Sequence, residues 1–323
     1  MSGGYRSGVL AITVTAVLWG TTGTAATFAP AAGPLAIGAA ALGLGGIAQA
    51  LIAVPALRAA RTRLRAHARL VALGAGAVAV YPLAFYSSMH LAGVAVGSVV
   101  SLASAPLASG LLHRLIERRP LSRNWVVAAI VGIAGSTVLC LATVSAPAAT
   151  GSSAPTAAAN VAGVLLGLVA GSTYATYSWV VGHLIGAGVG RAAAMGAVFG
   201  AGGTLLVPVL LLTGAPLLAS PQAALVAGYM AAVPMFAGYL LFGFGLARVP
   251  AATATTITLA EPAVATLMAV LVVGERLPLL GWAGLVLIAA VLVLLVAGPG
   301  PGGAGRRSAP LRPDLQAPDL LGP

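Results

Sequence analysis

GYLLFGFGLARVPAATATTITLAEPAVATLMAVLVVGERLPLLGWAGLVLIAAVLVLLV, Gly238 to Val296, holds nearly three apolar spans. A Glu-Pro pair, Glu261-Pro262, sits in the middle of one span, and a Gly274-Glu275-Arg276 turn separates the last two. A weaker copy lies half a chain earlier, from Tyr81 to Leu141. There Pro106 stands where Pro262 does, and Glu117-Arg118-Arg119-Pro120-Leu121 echoes Glu275-Arg276-Leu277-Pro278-Leu279. Trp125 follows the first turn as Trp282 follows the second. The pattern is that of one membrane unit written twice.

Working outward, the whole chain has the composition of a lipid-solvated protein. It is 59% hydrophobic and 7% charged, with a mean hydropathy of +1.04, where soluble domains carry about 25% charged residues. A helix needs roughly 20 apolar residues to cross the hydrocarbon core. Ten such runs are legible, at about 8–28, 34–55, 70–90, 94–116, 124–144, 161–182, 192–213, 223–246, 251–273 and 279–297. No alternating ten-residue strands of an outer-membrane barrel are seen. Helices therefore satisfy the backbone polar groups that lipid cannot. The fold expected is an all-α membrane protein of ten transmembrane helices.

The net charge of +11 comes from 16 basic residues, all of them Arg. With both termini inside, fifteen fall on one side of the ten-span arrangement and only Arg276 falls on the other. This is the positive-inside bias, and dropping one span would scatter it. It places both termini in the cytoplasm and assigns the charge to membrane topology, with no nucleic-acid partner. The cluster Arg58, Arg61, Arg63, Arg65 and Arg69 marks a cytoplasmic loop. Cys140 is alone and mid-span, so it offers neither a disulfide nor a metal pair.

Each half has five spans. Five is odd, so the second copy enters the membrane upside down. Inverted repeats are the architecture of secondary transporters, with the site near the midplane between them. The organisation expected is a first repeat at 1–144, an external linker at 145–160, a second repeat at 161–297 and a disordered cytoplasmic tail at 298–323.

Glu261 is the one acidic residue deep inside an expected span. An ionised carboxylate at the bilayer centre costs about 2.5–3.5 kcal/mol on insertion scales. The group is therefore neutral, paired or hydrated, and no Arg lies at matching depth. It is a candidate for proton titration or for binding a substrate ammonium. The alternative is a structural bond to hydroxyls or helix ends beside the Pro262 kink. Pro106 likewise removes a helical bond, to the carbonyl of Leu102. Aromatic rings with one polar atom suit amphipathic metabolites, which makes Trp19, Tyr81, Tyr86, Tyr174, Tyr177, Trp179 and Tyr239 cavity candidates. Thr22, in the polar turn Trp19-Gly20-Thr21-Thr22-Gly23-Thr24, joins them, as do Ser98, Ser101, Thr255 and Thr258 on the fourth and ninth spans. Packing and interfacial anchoring are the alternatives for each. Gly163, Gly167 and Gly171 at i, i+4 spacing form a smooth face for close helix contact, and Gly196 and Gly200 form another.

These motifs resemble the drug/metabolite transporter superfamily, EamA type, over about residues 8–297. The specific part is Ala252–Thr258, Leu259-Ala260-Glu261-Pro262, Gly274-Glu275-Arg276 and Gly281–Gly284, together with Trp19-Gly20. The first half departs from the pattern, with Ala105 where Glu261 stands in the second. The resemblance implies two inverted five-helix repeats and a central cavity lined mainly by helices 1, 3, 4, 6, 8 and 9. It also implies export or exchange of a small polar metabolite, often an amino acid, across the plasma or inner membrane.

The expected function is a secondary active transporter working by alternating access, with a small-molecule substrate, lipid as its surroundings and protons as the candidate coupling ion. Within that class the rival is efflux of multiple drugs or cationic compounds through Glu261; outside it, a receptor or scaffold that binds without transporting. No His-Glu-x-x-His, Gly-x-Ser-x-Gly or P-loop motif is present. An enzyme is therefore not expected, nor is a metal or any other cofactor.

Overall fold

The computed structural model describes residues 3–118, 120–144, 156–268, 270–271 and 278–297, and every regular element among them is helical. Among the described residues, eight helices are long and apolar enough to cross a membrane. They are α1 (Gly3–Thr27), α2 (Pro34–Ile52), α3 (Ala68–Ala92), α4 (Val94–Leu115), α5 (Arg123–Val144), α6 (Ala157–Gly186), α7 (Arg191–Thr213) and α8 (Pro221–Leu246). The expected ninth span, α9 (251–268), is in pieces: Ala251–Ile257, a 3₁₀ turn Thr258–Ala260, and Glu261–Met268. The tenth element, α10 (Leu279–Ala297), contains a shorter apolar helix, Leu279–Leu295. The Gly274-Glu275-Arg276 turn, most of the expected linker and the tail from 298 lie outside the described residues.

The helix starts follow local chemistry. Thr156 caps α6 by accepting from the Ala159 N–H, and Ser220 caps α8 by accepting from Ala223, with Pro221 behind it. Gly93 ends α3 with a φ of 86° and a ψ of 152°, a positive-φ conformation that favours glycine, and α4 begins on the next residue. Two short helices, Val54–Ala59 and Arg61–Ala66, fill the basic connection between α2 and α3. There the Arg63 guanidinium donates to the Gly188 carbonyl at 2.6 Å.

Packing is dominated by small residues. α6 lies against α3 and α4 along its glycine stripe. A Cβ on Gly163 would stand 2.6 Å from that of Ala92, and one on Gly167 would stand 2.9 Å from Val100. One on Gly171 would collide with the Ser104 hydroxyl. Gly196 and Gly200 on α7 face Ala53 and Ala50 on the α2 side in the same way. Meanwhile Leu211 and Leu212 on α7 are 79% and 86% exposed. Large apolar side chains turned outward and small ones turned inward are what a helix bundle shows when its solvent is hydrocarbon.

α2 and α8 each wind as a π-helix in their middle, over Ala39–Leu44 and Ala231–Ala237, and the two π segments touch. Wider winding leaves the backbone ladder locally incomplete, and Pro234 has no N–H to give. Side chains from α1 and α2 bond the carbonyls along this stretch of α8. Trp19 Nε1–H donates to Pro234 O at 2.9 Å, Gln49 Nε2 to Met235 O at 3.4 Å, and Thr15 Oγ1 to Gly238 O at 3.0 Å. By contrast, Pro106 sits inside a continuous α4, whereas the change to 3₁₀ winding in α9 falls immediately before Glu261-Pro262.

Candidate functional site

Where α1, α2, α3, α8 and α9 converge they enclose a small cavity. α1 supplies Trp19 and Thr22, and α3 supplies Tyr81, Pro82, Phe85 and Tyr86. The π segment of α2 contributes Ala41 and Leu42. Met235 and Tyr239 come from α8, and Glu261 from α9. The space is about 10 Å³, close to the room one water needs. In this conformation the pocket is therefore shut around its own side chains.

Glu261 is 7% exposed, and its Oε2 has no hydrogen-bond partner. Among the described residues it is the only charged side chain on the wall. The break in α9 fixes its place. Thr255 Oγ1 and Thr256 Oγ1 both bond the Ala252 carbonyl, and Thr258 Oγ1 bonds the Thr255 carbonyl. Hydroxyls folded back on their own helix loosen its regular winding. The helix then restarts at Glu261 with Pro262 in its first turn, where a missing N–H costs nothing. Gly20 of α1 allows the approach from the other side, since a Cβ there would stand 3.0 Å from the Glu261 carbonyl oxygen.

Opposite the carboxyl group the wall is aromatic. The Trp19 and Tyr239 rings are 4.7 Å apart, Tyr81 and Phe85 5.6 Å, and Phe85 and Tyr86 5.3 Å. A second layer stands behind them. Tyr174 and Tyr177 of α6 each contact Tyr81 at 5.6 Å. The Tyr177 hydroxyl bonds that of Tyr239 at 2.7 Å, and the Tyr174 hydroxyl bonds Thr258 Oγ1 at 2.8 Å. These two bonds tie α6 to α8 and to α9.

Of the sequence candidates, Trp19, Thr22, Tyr81, Tyr86, Tyr239 and Glu261 line the cavity. Tyr174, Tyr177 and Thr258 form the layer behind it. Ser101 is buried in α4 and donates to its own Gly97 carbonyl at 2.7 Å, Ser98 is half-buried on the same helix, and Thr255 is turned back on α9. Trp179 is elsewhere. Its Nε1–H donates to Glu117 Oε1 at 3.0 Å just beyond the end of α4, and His113 Nδ1 lies 2.8 Å from Glu117 Oε2. Arg118, the residue after Glu117, has a φ of 52°. The contribution of α2 was not foreseen, because Ala41 and Leu42 carry no chemistry that a sequence can flag. The crowding of Gly38, Gly43, Gly45 and Gly46 was the available signal that α2 packs centrally.

The profile of the EamA-like transporter family matches residues 6–141 and, a second time, residues 161–297. An uncharacterized transporter of Bacillus subtilis (strain 168), YwfM, is 33% identical over 291 residues, spanning 90% of this chain and 94% of that protein. A solved crystal structure with 22% identity superposes with a TM-score of 0.69 over 89% of this chain and 96% of its own, a likeness of fold.

Proposed function

The chain belongs to the EamA-like transporter family, and from that premise we propose that it is a secondary active transporter that moves a small molecule by alternating access around the Glu261 cavity. The family places it in the membrane as a multi-pass transport protein. The finer reading is ten crossings arranged as two inverted five-helix repeats, 1–144 and 161–297, joined by the 145–160 linker. A cytoplasmic tail follows, and the direction of transport is export or exchange of a metabolite.

The observation that carries this reading is the shut cavity. A pocket with room for about one water, walled by residues from both halves and holding a buried carboxyl oxygen without a partner, has no evident structural use. It suits a site that opens to one side of the membrane at a time. The π segments of α2 and α8 meet at this wall, and π turns occur frequently at functional sites. They are the elements we assign to the opening. Protons are the coupling ion we assign, with Glu261 the group that would take them.

Counterflow in proteoliposomes tests the assignment. Vesicles loaded with unlabelled metabolites should accumulate labelled substrate transiently and saturably, and a pH step should change the rate. A receptor or scaffold would give no counterflow with any solute.

A further inference from the structure

The connection between α2 and α3 holds Arg58, Arg61, Arg63 and Arg65, with Arg69 in the first turn of α3, and no Asp or Glu precedes Glu117 in the chain. The apolar residues Leu57, Ala60 and Leu64 are half-buried against the core of the bundle, and the arginines stand at exposed positions. Arg63 is engaged, since its bond to Gly188 O ties this segment to the α6–α7 connection. Arg191 and Arg248 are engaged too, with guanidinium carbons 5.3 and 3.4 Å from the centre of the Phe244 ring. Arg58, Arg61, Arg65 and Arg69 differ. Among the described residues, no hydrogen bond, ion pair or ring contact holds any of the four. The described acids are Glu117, held by Trp179 and His113, and Glu261, inside the cavity.

The four unengaged arginines follow one another at steps of three, four and four residues. Like charges at helical spacing repel, so the row is unfavourable until an anion lies across it. The surroundings say which anion. Leu51 and Ile52 at the end of α2 and Leu73 on α3 are exposed, and apolar side chains turned outward on a membrane helix meet hydrocarbon. Arg69 is four residues before Leu73, about 6 Å along a helix, which sets it at the depth of lipid phosphates. Guanidinium groups match phosphate oxygens two at a time, and a basic segment flanking a span is drawn to a negatively charged leaflet.

We propose that the 58–69 face binds anionic phospholipids of the leaflet it meets, with its four unengaged guanidinium groups on headgroup phosphates. The inference needs the chain to lie in a membrane but does not depend on the transport reading or on Glu261.

The full chain in detergent is titrated with dioleoylphosphatidylglycerol, dioleoylphosphatidylcholine or inorganic phosphate and read as a shift in melting temperature, since a ligand of the folded state stabilises it by mass action. Phosphatidylglycerol should raise the melting temperature, and raised ionic strength should weaken the effect. Phosphatidylcholine and inorganic phosphate should give no comparable shift. The double variant Arg61→Gln, Arg65→Gln should need at least about tenfold more phosphatidylglycerol for the half-maximal shift, from the loss of two basic side chains at the surface. Removing the same charge at Arg114 and Arg123, which flank the α4–α5 connection, should change it less than about threefold. The proposal is overturned if phosphatidylcholine or inorganic phosphate matches phosphatidylglycerol, or if the Arg114 and Arg123 pair loses as much as the Arg61 and Arg65 pair, since overall charge would then explain the effect. Phenylglyoxal modification gives a readout that needs no variant. In nanodiscs, replacing phosphatidylcholine by phosphatidylglycerol should protect Arg58, Arg61, Arg65 and Arg69 more than Arg114 and Arg123, and equal protection would also overturn the proposal.

Discussion

Trp19 shows how one residue can serve both the fold and the site. Its ring lines the cavity while its N–H holds Pro234 O in the π segment of α8. Trp19→Phe keeps an aromatic wall and removes the donor, leaving a buried carbonyl unsatisfied at a cost of about 1–3 kcal/mol. Thermal unfolding in detergent should show a lower midpoint, and counterflow should fall with it because the π segment is no longer pinned. An unchanged midpoint would mean that the indole bond is unimportant. At this scale the sequence was most legible where a residue type is rare for its surroundings. Glu261 stands out as the one acid within a span, and among the described residues it is the one charge on the cavity wall. The aromatic candidates were less legible. Spacing along a helix identifies a face but not its depth, so Tyr174 and Tyr177 lie one layer back, and Trp179 lies near Glu117 beyond the end of α4.

Among the elements, the contact of α6 with α3 and α4 is the most demanding sterically. Gly171→Ala would place a methyl group against the Ser104 hydroxyl and 2.5 Å from the Ser101 carbonyl oxygen. Overpacking of this kind costs typically 1–3 kcal/mol. Gly182→Ala on the same helix meets nothing within 4 Å, and it should stabilise by about 0.5–1 kcal/mol through helix propensity. Unfolding midpoints of the two variants should therefore move in opposite directions. The Glu117 cluster binds the same pair of helices, α4 and α6, by polar means. Trp179→Phe and Glu117→Ala should be non-additive, with a coupling of about 0.5–3 kcal/mol in a double-mutant cycle on the unfolding midpoint, as for residues in direct contact. Strict additivity would deny that bond any role. The glycine stripes announced such contacts in the sequence because a helix face without side chains has few other uses in lipid. The π winding of α2 and the broken winding of α9 were not legible in apolar runs. Hydropathy measures how greasy a segment is, not how its backbone is hydrogen-bonded.

At the level of the whole molecule, several of the helix contacts repeat when the halves are exchanged. Substituting α6 for α1, α7 for α2, α8 for α3, α9 for α4 and α10 for α5 turns the α1–α8 contact into α6–α3. It turns α1–α9 into α6–α4 and α2–α8 into α7–α3, while α2–α7, α4–α9 and α5–α10 map onto themselves. These matched pairs support a pseudo-twofold relation between two copies of one unit, while other contacts, α6–α7 and α6–α9 among them, are not matched to the same extent. It agrees with the double match of the family profile. In the proposed arrangement of five crossings per copy, the axis would lie in the membrane plane, and the segment joining the copies would emerge opposite the chain ends. On the positive-inside expectation the joining segment would then be external. Single cysteines at Thr150 and Gly305, in a Cys140→Ser background, test the arrangement. An impermeant maleimide should label position 150 in intact cells and reach position 305 only after permeabilisation. If both positions react from the same side, the halves cannot each cross an odd number of times. The cavity would then not lie on an axis between inverted copies, and rocking of one half against the other would lose its geometric basis.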